Sequence, residues 1–464
     1  MIPPRAEPPT DLPETPPSHD ARDLREAIDA TQRGVRERLT SIFGGSVGNL
    51  IEWYDFYVYS AFSLYFAKSF FPNENPIVEQ LNTAGVFAAG FLIRPVGGWL
   101  MGLYADLRGR RAALTFSVTL MCLGSFVIAI CPTYARIGVA APVILLLARL
   151  LQGLSLGGEY GTSATYLSEV ATSRHRGFYS AFQYVTLIMG QLLATLTLLL
   201  LQRLVLTSDQ LTAWGWRIPF LIGAGLAVFG FYMRRNMVET EAFKAEAEKH
   251  AQRRPMRDLL RHPREIAVVV GLTLGGTLAF YTYTVYMQKF LVHSVRLTRD
   301  QATLVSAASL FLYMLVQPVF GLISDKVGRR PVLMWFGVMG SLCTVPLLTA
   351  MRETRDAFTA FLLLMAALLI LSGYTSVNAV VKAELFPARI RALGVGLPYA
   401  LTVSIFGGTA EYVGTWLKLQ GRETWFFWYV SGGILCSLLV YAFMRESKTH
   451  SRLDAEGEGA AASG

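Results

Sequence analysis

Apolar residues along the chain gather in long stretches that are separated by short polar loops. About 20 apolar residues in a helix cross the hydrocarbon core of a bilayer, and on that basis the pattern predicts twelve membrane-spanning helices. The first six lie near 41–66, 82–103, 112–132, 140–165, 178–202 and 216–235. The second six lie near 265–290, 302–323, 332–351, 357–381, 392–417 and 424–444. The pattern therefore predicts an all-α membrane protein.

Three polar segments lie outside these spans. Segment 1–40 starts Pro-rich and becomes charged, segment 236–264 is the long internal loop, and segment 445–464 is a C-terminal tail. These segments divide the chain into two six-helix bundles, 41–235 and 265–444. The Pro-rich start contains no uninterrupted apolar stretch, so it does not have the pattern of a signal peptide.

The composition agrees with a membrane location. Of the 464 residues, 53% are apolar and only 16% are charged, whereas a soluble domain carries about 25% charged residues. The net charge of +9 could indicate nucleic-acid binding in a soluble protein. Here the basic residues lie at the ends of spans, where an anionic membrane surface is the expected partner and nucleic acid is not. The four cysteines form no Cys-x-x-Cys pair, so the sequence supports neither a disulfide framework nor a metal site.

Lys and Arg are distributed unevenly between the two sides of the predicted membrane. Of the 42 basic residues, 29 lie on the side of the termini, 11 lie on the opposite side, and Arg94 and Arg149 lie inside spans. Cytoplasmic loops carry the excess of Lys and Arg in membrane proteins, so both termini are predicted to be cytoplasmic.

One loop motif occurs twice. Segment 102–111 follows the second span and segment 321–330 follows the eighth, and both read Gly-x-x-x-Asp-x-x-Gly-Arg-Arg. Repeated halves are common in transporters, which bind their substrate near the midplane between the repeats.

With these motifs the sequence resembles the major facilitator superfamily and, within it, the metabolite:proton symporters. The resemblance also rests on the segments GNLIEWYDF at 48–56, RPVGG at 94–98, RLLQG at 149–153, GGEY at 157–160 and WRIPF at 216–220. The segments YGTSATYLSEV at 160–170, FQYVTL at 182–187 and KAELFP at 382–387 are similar to those of the 2-oxoglutarate carriers of this family.

The resemblance implies the twelve-helix major facilitator fold and a proton-coupled symporter rather than an enzyme. We expect it to import a dicarboxylate, with 2-oxoglutarate (α-ketoglutarate) as the first candidate, across the bacterial inner membrane by alternating access. The coupling ion would be the proton, with no cofactor, and the protein would act as a monomer in the lipid bilayer. Two alternatives stay open, namely a symporter of the same family for citrate, shikimate, proline or betaine, and a membrane sensor that transports nothing. Loop 236–264 is short for a sensor domain.

Charged residues inside spans are functional candidates, because each costs about 2.5–3.5 kcal/mol at a helix centre on insertion scales. Glu52 and Asp55 are three residues apart, which places both carboxylates on one face of the first span. Two carboxylates held close together out of water tend to retain a proton. We therefore predict that Asp55 and Glu52 couple transport to protons, the alternative being a static ion pair with an arginine.

Arg94 lies in the middle of the apolar second span. A guanidinium offers a planar pair of donors that suits a carboxylate and stays charged, so Arg94 is predicted to contact the substrate. The alternative is a structural bridge to Glu52, Asp55 or Glu159. A second substrate carboxylate would need Arg149, Lys382 at a span end, or hydroxyl groups.

Other polar residues inside spans complete the prediction. The further candidate substrate contacts are Tyr59, Gln183, Tyr281, Gln288 and Asn378. Lys289 is expected at the outer mouth of the seventh span as a solvated charge. The stripe Gly153, Gly157 and Gly161 indicates close helix packing.

A last group is predicted to have structural or gating roles. In the family, the two loop motifs form charge networks that break as the halves move, and Arg149 is expected to pair with nearby loops. The group consists of Asp106, Arg110, Arg111, Asp325, Arg329, Arg330, Arg149 and Glu159.

Overall fold

The computed structural model describes residues 50–108, 110–157, 159–171, 173–235 and 255–453. Every regular element within these residues is a helix. Segment 1–40 and residues 41–49 of the first predicted span lie outside the described residues, as does most of the internal loop.

The first half contains six long helices in its described part. They are α1 (50–70), α2 (Pro76–Leu92, continued by Arg94–Arg108), α3 (Arg110–Ile130), α4 (Ala140–Leu156, continued by Glu159–Val170), α5 (Arg176–Leu200, ending in the π-helical turn Leu201–Val205) and α6 (Ile218–Arg235). Short helices Tyr134–Ile137 and Ser208–Ala213 and the 3₁₀ turns Ser173–His175 and Gly215–Arg217 lie between them.

The second half repeats this arrangement. Its helices are α7 (Pro263–Tyr281, the π-helical turn Thr282–Tyr286, and Met287–His293), α8 (Arg299–Val327), α9 (Arg329–Glu353), α10 (Ala357–Thr375 and Asn378–Leu385), α11 (Arg391–Thr402, the π-helical turn Val403–Gly407, and Ala410–Leu419) and α12 (Glu423–Phe443). The short helix Pro255–Leu259 precedes α7, and the 3₁₀ turn Ala388–Ile390 precedes α11.

Each of these helices coincides with one predicted span, so the all-α architecture of twelve helices in two sets of six is confirmed. Most helices extend beyond the apolar stretch, because a helix continues into the polar headgroup region while hydropathy marks only the hydrocarbon core. Among the described helices, eight are long and apolar enough to cross a bilayer by length and composition. Thr115–Ile130 and Ala140–Leu156 are shorter apolar helices, and α1 carries two carboxylates.

Several helices begin at side chains that satisfy their free N–H groups. The Thr298 hydroxyl accepts from the Gln301 N–H at the start of α8, and the Gln301 side chain bonds back to the Thr298 N–H. At the start of α10, Asp356 accepts from the Thr359 N–H at 2.7 Å. The Thr359 backbone and hydroxyl hold the pKa of Asp356 below its usual value. These caps fix where the chain turns back into the membrane.

The two halves meet along α5 and α8, and along α11 with α2 and α4. We call the ends of α8 and α9 that carry the second loop motif the inner face, and the opposite ends the outer face. At the inner face, a Cβ atom on Gly321 of α8 would lie 2.6 Å from the carbonyl oxygen of Gly177 in α5. Nearer the middle, a Cβ atom on Gly161 of α4 would lie 2.8 Å from the Cα atom of Gly396 in α11. Glycine permits these close approaches, so the predicted packing stripe of α4 is confirmed at Gly161.

Replacing Gly321 with valine would hold the inner face open, because the new side chain would meet backbone atoms of α5. We expect a maleimide to react with a Ser324→Cys reporter about tenfold faster or more in Gly321→Val, since about 1.4 kcal/mol in the opening equilibrium gives that factor. Gly432→Val is the matched control, because nothing lies within 4 Å of a Cβ atom there. Equal labelling rates in the two variants would contradict the packing role of Gly321.

Candidate functional site

A cavity lies between the two halves in the described part of the chain. Helices α1, α2 and α4 line it from the first half, and α11 lines it from the second. The lining residues that matter below are Glu52, Trp53, Arg94, Tyr160, Gly396 and Tyr399. The cavity thus combines a cation, a carboxylate and aromatic rings at the boundary between the repeats.

Arg94 follows directly after the interruption of α2 at Ile93 and is only 6% exposed. Its guanidinium carbon lies 3.7 Å from the centroid of the Phe91 ring and 4.2 Å from that of Phe56. Within the described residues, its Nε and Nη2 atoms have no hydrogen-bond partner, and no carboxylate pairs with its guanidinium. Its side chain therefore retains donors for a ligand, in the position where substrate contact was predicted.

Glu52 and Asp55 lie in different surroundings although they share α1. Glu52 lines the cavity with Arg94. Asp55 is fully buried in the first half, where it accepts hydrogen bonds from the Ser125 hydroxyl and, at 2.9 Å, from Nε2 of Gln152. Three residues rotate a helix by about 300°, so two side chains at this spacing still diverge by about 60°. The carboxylates are therefore not gathered at one place, and only Glu52 reaches the cavity.

Arg149 lies next to Asp55 in the fully buried core of the first half. Its Nη1 donates to Gln152 Oε1 at 2.7 Å, and Gln152 in turn bonds to Asp55. The guanidinium carbon lies 4.3 Å from the ring centroids of both Phe56 and Tyr59. The pairing of Arg149 with loops that the sequence indicated does not occur among the described residues, because its position in α4 is enclosed by α1 and α2. A structural role for Arg149 stays a prediction.

A second polar group lies beside the cavity on the other half. Lys382 is fully buried in the short helix that follows the interruption of α10, and its Nζ donates to Asn378 Oδ1 at 2.9 Å. The Tyr160 hydroxyl donates to the same Asn378 oxygen at 2.9 Å and lies 3.4 Å from Lys382 Nζ. Tyr160 and Tyr399 stack with ring centroids 3.5 Å apart. Asn378, a predicted substrate contact, therefore lies one side chain away from the cavity.

The other predicted contacts do not line the cavity themselves. Tyr59 donates to the Thr83 carbonyl at 3.0 Å, and Gln288 donates to the Thr303 hydroxyl at 3.3 Å, so each ties helices within one half. Tyr281 contacts the Phe91 ring at a centroid distance of 5.0 Å and also interacts directly with the Arg94 side chain. Gln183 is buried in α5. None of these four residues is among those that line the cavity.

Residues of the second loop motif hold the halves together at the inner face. Asp325 accepts from the N–H groups of Gly177 and Phe178, at 2.8 and 2.9 Å, at the start of α5. Arg329 pairs with Asp325 at 2.8 Å and lies 3.7 Å from Glu384. The placement agrees with the predicted gate, whose function stays a prediction.

The other predicted gating residues are placed differently. Arg330 donates to the carbonyls of Tyr441, at 3.1 Å, and Ala442, at 2.5 Å, and so anchors α9 to α12 within one half. The remaining four side chains, Asp106, Arg110, Arg111 and Glu159, lie outside the described part of the chain.

The start of the predicted C-terminal tail also docks at the inner face. Glu446 accepts from the N–H groups of Arg329 and Arg330, both at 2.9 Å. Ser447 donates to Glu384 at 2.5 Å, and Lys448 donates to the Asp325 carbonyl at 2.5 Å. Sequence reasoning assigned this segment no contacts, since a short charged tail carries no periodic pattern that would signal docking.

Lys289 corrects one expectation. It is a buried ion-pair partner and not a solvated charge, with Nζ 3.4 Å from Glu411 Oε1. It also donates across the interface to Ser60 of α1, at 2.8 Å to the carbonyl and 2.5 Å to the hydroxyl. The expectation was wrong because α7 continues to His293, which keeps Lys289 inside the helix packing.

Nearer the outer face, Arg203 of α5 and Asp300 of α8 pair at 2.7 Å. The halves therefore touch on both sides of the cavity.

Replacing Lys289 with methionine would leave Glu411 buried without its counter-charge, which typically costs about 3–5 kcal/mol. We expect a clear fall in Tm of the detergent-solubilised protein in Lys289→Met, and recovery in the double variant Lys289→Met/Glu411→Leu. Arg203→Gln removes half of an exposed pair and should change Tm little. A double variant that is no more stable than Lys289→Met would show that the pair is not a coupled unit.

The chain is 51% identical to the Alpha-ketoglutarate permease of Escherichia coli (strain K12) over 423 residues, which cover 91% of this chain and 97% of that protein. Residues 42–262 match the family profile described as Sugar (and other) transporter, and residues 272–463 match the profile described as Major Facilitator Superfamily. The chain belongs to the major facilitator superfamily.

Other members of the superfamily show the same relation at greater distance. The Citrate-proton symporter of Salmonella typhi is 34% identical over 86% of this chain and 92% of that protein. The Proline/betaine transporter of Escherichia coli (strain K12) is 31% identical over 85% of this chain and 80% of that protein. The solved D-xylose-proton symporter superposes with a TM-score of 0.67 at 20% identity, covering 89% of this chain and 98% of that chain. That likeness confirms the major facilitator fold.

Sequence reasoning missed two partners at the site. Ser125 was not singled out, because its contact with Asp55 joins α3 to α1 and leaves no pattern along the chain. Tyr160 had a usable signal, since it lies three residues after Gly157 and one before Gly161 on the tightly packed part of α4.

Proposed function

We propose that the protein is a proton-coupled symporter that imports a dicarboxylate, with 2-oxoglutarate as the first candidate, by alternating access. The observation that carries the proposal is Arg94, a buried guanidinium with two unpartnered nitrogens at a cavity between the halves. The 51% identity to a protein named Alpha-ketoglutarate permease supports this substrate.

Arg94 suits an organic acid for a physical reason. A guanidinium removed from water gains more from a carboxylate than it would at the surface, because the interaction is screened less there. The Phe91 and Phe56 rings hold the guanidinium in place, so little side-chain entropy is lost when the acid binds. The cavity is therefore preorganised for an anion.

The position of the cavity suits alternating access. Contacts at the inner face (Asp325 with α5) and toward the outer face (Lys289 with Ser60, Arg203 with Asp300) close it on both sides. Breaking one set while keeping the other would open the cavity to one side of the membrane at a time.

The remaining parts of the proposal concern the setting. We place the protein in the bacterial inner membrane as a monomer with both termini in the cytoplasm. The excess of Lys and Arg on the side of the termini supports this orientation. The inner face is then the cytoplasmic one.

Substrate counterflow tests the proposed function. Proteoliposomes loaded with unlabelled 2-oxoglutarate should take up labelled 2-oxoglutarate. In parallel samples, an excess of succinate, citrate, shikimate or betaine is added as a competitor. A compound that competes better than unlabelled 2-oxoglutarate would be identified as the preferred substrate. Wild-type vesicles that exchange none of these compounds would refute a carrier of this class.

Arg94→Ala should weaken 2-oxoglutarate binding about 10- to 150-fold, since a hydrogen-bonded charged contact contributes about 1.5–3 kcal/mol. Arg94→Lys should recover part of this loss by restoring the charge without the planar fork. Half-saturation of counterflow measures both. Arg136→Ala, at an exposed residue of the loop after α3, is the control. Unchanged half-saturation in Arg94→Ala would exclude Arg94 from the binding site.

Proton coupling is assigned to Asp55, with Glu52 as the carboxylate at the cavity itself. Asp55 accepts from Ser125 and Gln152, and Gln152 accepts from Arg149, so a proton on Asp55 would change the charge of a continuous polar chain. Gly223 of α6 leaves room for this carboxylate, because a Cβ atom there would lie 3.1 Å from the Asp55 carboxyl carbon. These hydrogen-bonded side chains join α1, α3 and α4, so protonation of Asp55 is linked to the packing of these helices.

Asp55→Asn should keep exchange of 2-oxoglutarate while ending uphill accumulation driven by a pH gradient, because asparagine cannot take up or release the proton. Asp209→Asn, in the exposed outer helix, should leave both activities at wild-type level. Paired counterflow and accumulation assays on the same vesicles separate the two properties. Full accumulation by Asp55→Asn would remove Asp55 from the coupling role.

A further inference from the structure

Lys382 is the one buried lysine of the described residues in the second half whose polar contacts are all to neutral groups. We infer that Lys382 binds the second carboxylate of the substrate and thereby makes the carrier selective for dicarboxylates over monocarboxylates. This inference rests on the proposed function and names the residue that sets its substrate class.

The surroundings of Lys382 differ from those of two other buried cations in the same half, Lys289 and Arg329. Lys289 has Glu411 and Arg329 has Asp325, so each carries its counter-charge within the protein. Lys382 Nζ contacts Asn378 Oδ1 at 2.9 Å and the Tyr160 oxygen at 3.4 Å, and no carboxylate of the described residues lies within 4 Å. A buried ammonium without a counter-ion is costly to keep, and such residues in membrane spans mark substrate or ion pathways.

Lys382 is also within reach of the cavity. Its ammonium lies 4.0 Å from the centroid of the Tyr399 ring, and Tyr399 lines the cavity together with Tyr160. The two stacked rings therefore form the wall between Lys382 and Arg94. A small change in ring orientation would present the Tyr160 hydroxyl and the Lys382 ammonium to a carboxylate in the cavity.

The partners of this subsite come from both halves. Tyr160 belongs to α4 of the first half, while Asn378 and Lys382 belong to α10 of the second. Arg94 lies in the first half. A dianion held at one end by Arg94 and at the other by Lys382 would thus connect the halves, so that its binding favours closure around it. A monocarboxylate reaches only one of the two cations.

The local chain geometry explains how a lysine reaches this depth. Helix α10 is interrupted between Thr375 and Asn378, and the chain then forms the helix Asn378–Leu385. Residue Asn378 bonds back to the Thr375 carbonyl at 3.0 Å, which satisfies part of the interrupted backbone. Lys382 is one turn farther on, on the same face as Asn378. The interruption therefore fixes both residues beside the tyrosines.

Competition counterflow with Lys382→Gln tests the inference. Vesicles with the wild-type protein and vesicles with Lys382→Gln both exchange labelled 2-oxoglutarate. Unlabelled 2-oxoglutarate or 2-oxobutyrate, a 2-oxo acid with a single carboxylate, is then added as a competitor. We expect Lys382→Gln to raise the half-inhibitory concentration of 2-oxoglutarate about tenfold or more, as for a lost charge-assisted contact. The half-inhibitory concentration of 2-oxobutyrate should stay the same. The selectivity ratio, which is the value for 2-oxobutyrate divided by that for 2-oxoglutarate, should therefore fall about tenfold or more.

Two controls distinguish substrate binding from a structural role. Lys382→Arg keeps the charge and should retain most of the selectivity, and Lys68→Gln removes an exposed lysine and should change nothing. Because Lys382 lacks a protein counter-charge, Lys382→Gln should have a Tm equal to or above that of the wild type. A strongly lowered Tm together with equal losses for both acids would show a structural role and overturn the inference.

The outcomes also separate this inference from the proposed function. If wild-type vesicles exchange 2-oxoglutarate and Lys382→Gln keeps the wild-type selectivity ratio, Lys382 is not a carboxylate anchor and the proposed function stands. If wild-type vesicles exchange no organic acid at all, the proposed function is wrong and the inference falls with it.

Discussion

An ionised side chain enclosed by apolar helices needs either a counter-charge or a full set of hydrogen bonds. In the described part of this protein most enclosed charges meet that requirement internally, as Lys289 does with Glu411 and Arg329 with Asp325. Arg94 and Lys382 do not find a carboxylate there. Both lie at or next to the cavity, and in the proposed function a bound dicarboxylate supplies the negative charge that they lack.

The side chains proposed to bind the substrate lie where helices depart from regular geometry. Arg94 follows the interruption of α2, and Lys382 follows the interruption of α10. Val403, at the start of the π-helical turn of α11, lines the cavity. Irregular backbone at membrane depth is tolerated where it faces protein or a cavity, and π-helical turns are frequent at functional sites. The same irregularities that expose polar groups to the cavity also create places where the helices can bend during closure.

Hydropathy alone predicted the twelve helices, because a span must satisfy its backbone internally and exclude charge over about 20 residues. Arg94 and Asp55 could be singled out for the same reason, since a charge inside an apolar stretch is conspicuous. The partners of these residues could not be predicted. The contact of Asp55 with Ser125 joins two helices that are distant in sequence.

Hydropathy located the spans but misplaced some of their ends. It treated Lys289 as a rim residue, and it ended the tenth span at 381, just before Lys382. Hydropathy marks where apolar residues stop, whereas burial at an end depends on how far neighbouring helices continue. Lys289 and Lys382 lie at such span ends, whereas Arg94 lies in the middle of a span. The sequence therefore predicted the burial of Arg94 but not that of the two lysines.

The segment after α12 binds the motif residues Arg329 and Asp325, and Ser451 accepts from Arg176 of α5 at 3.3 Å. Any movement that separates α5 from α8 must therefore also break these contacts or move the segment after α12 along with one of the helices. The residues that join the halves at the inner face and the residues proposed to bind the substrate thus lie in different stretches of the polypeptide. Substitutions in the segment after α12 would therefore alter how firmly the halves are joined at the inner face and leave the cavity lining unchanged.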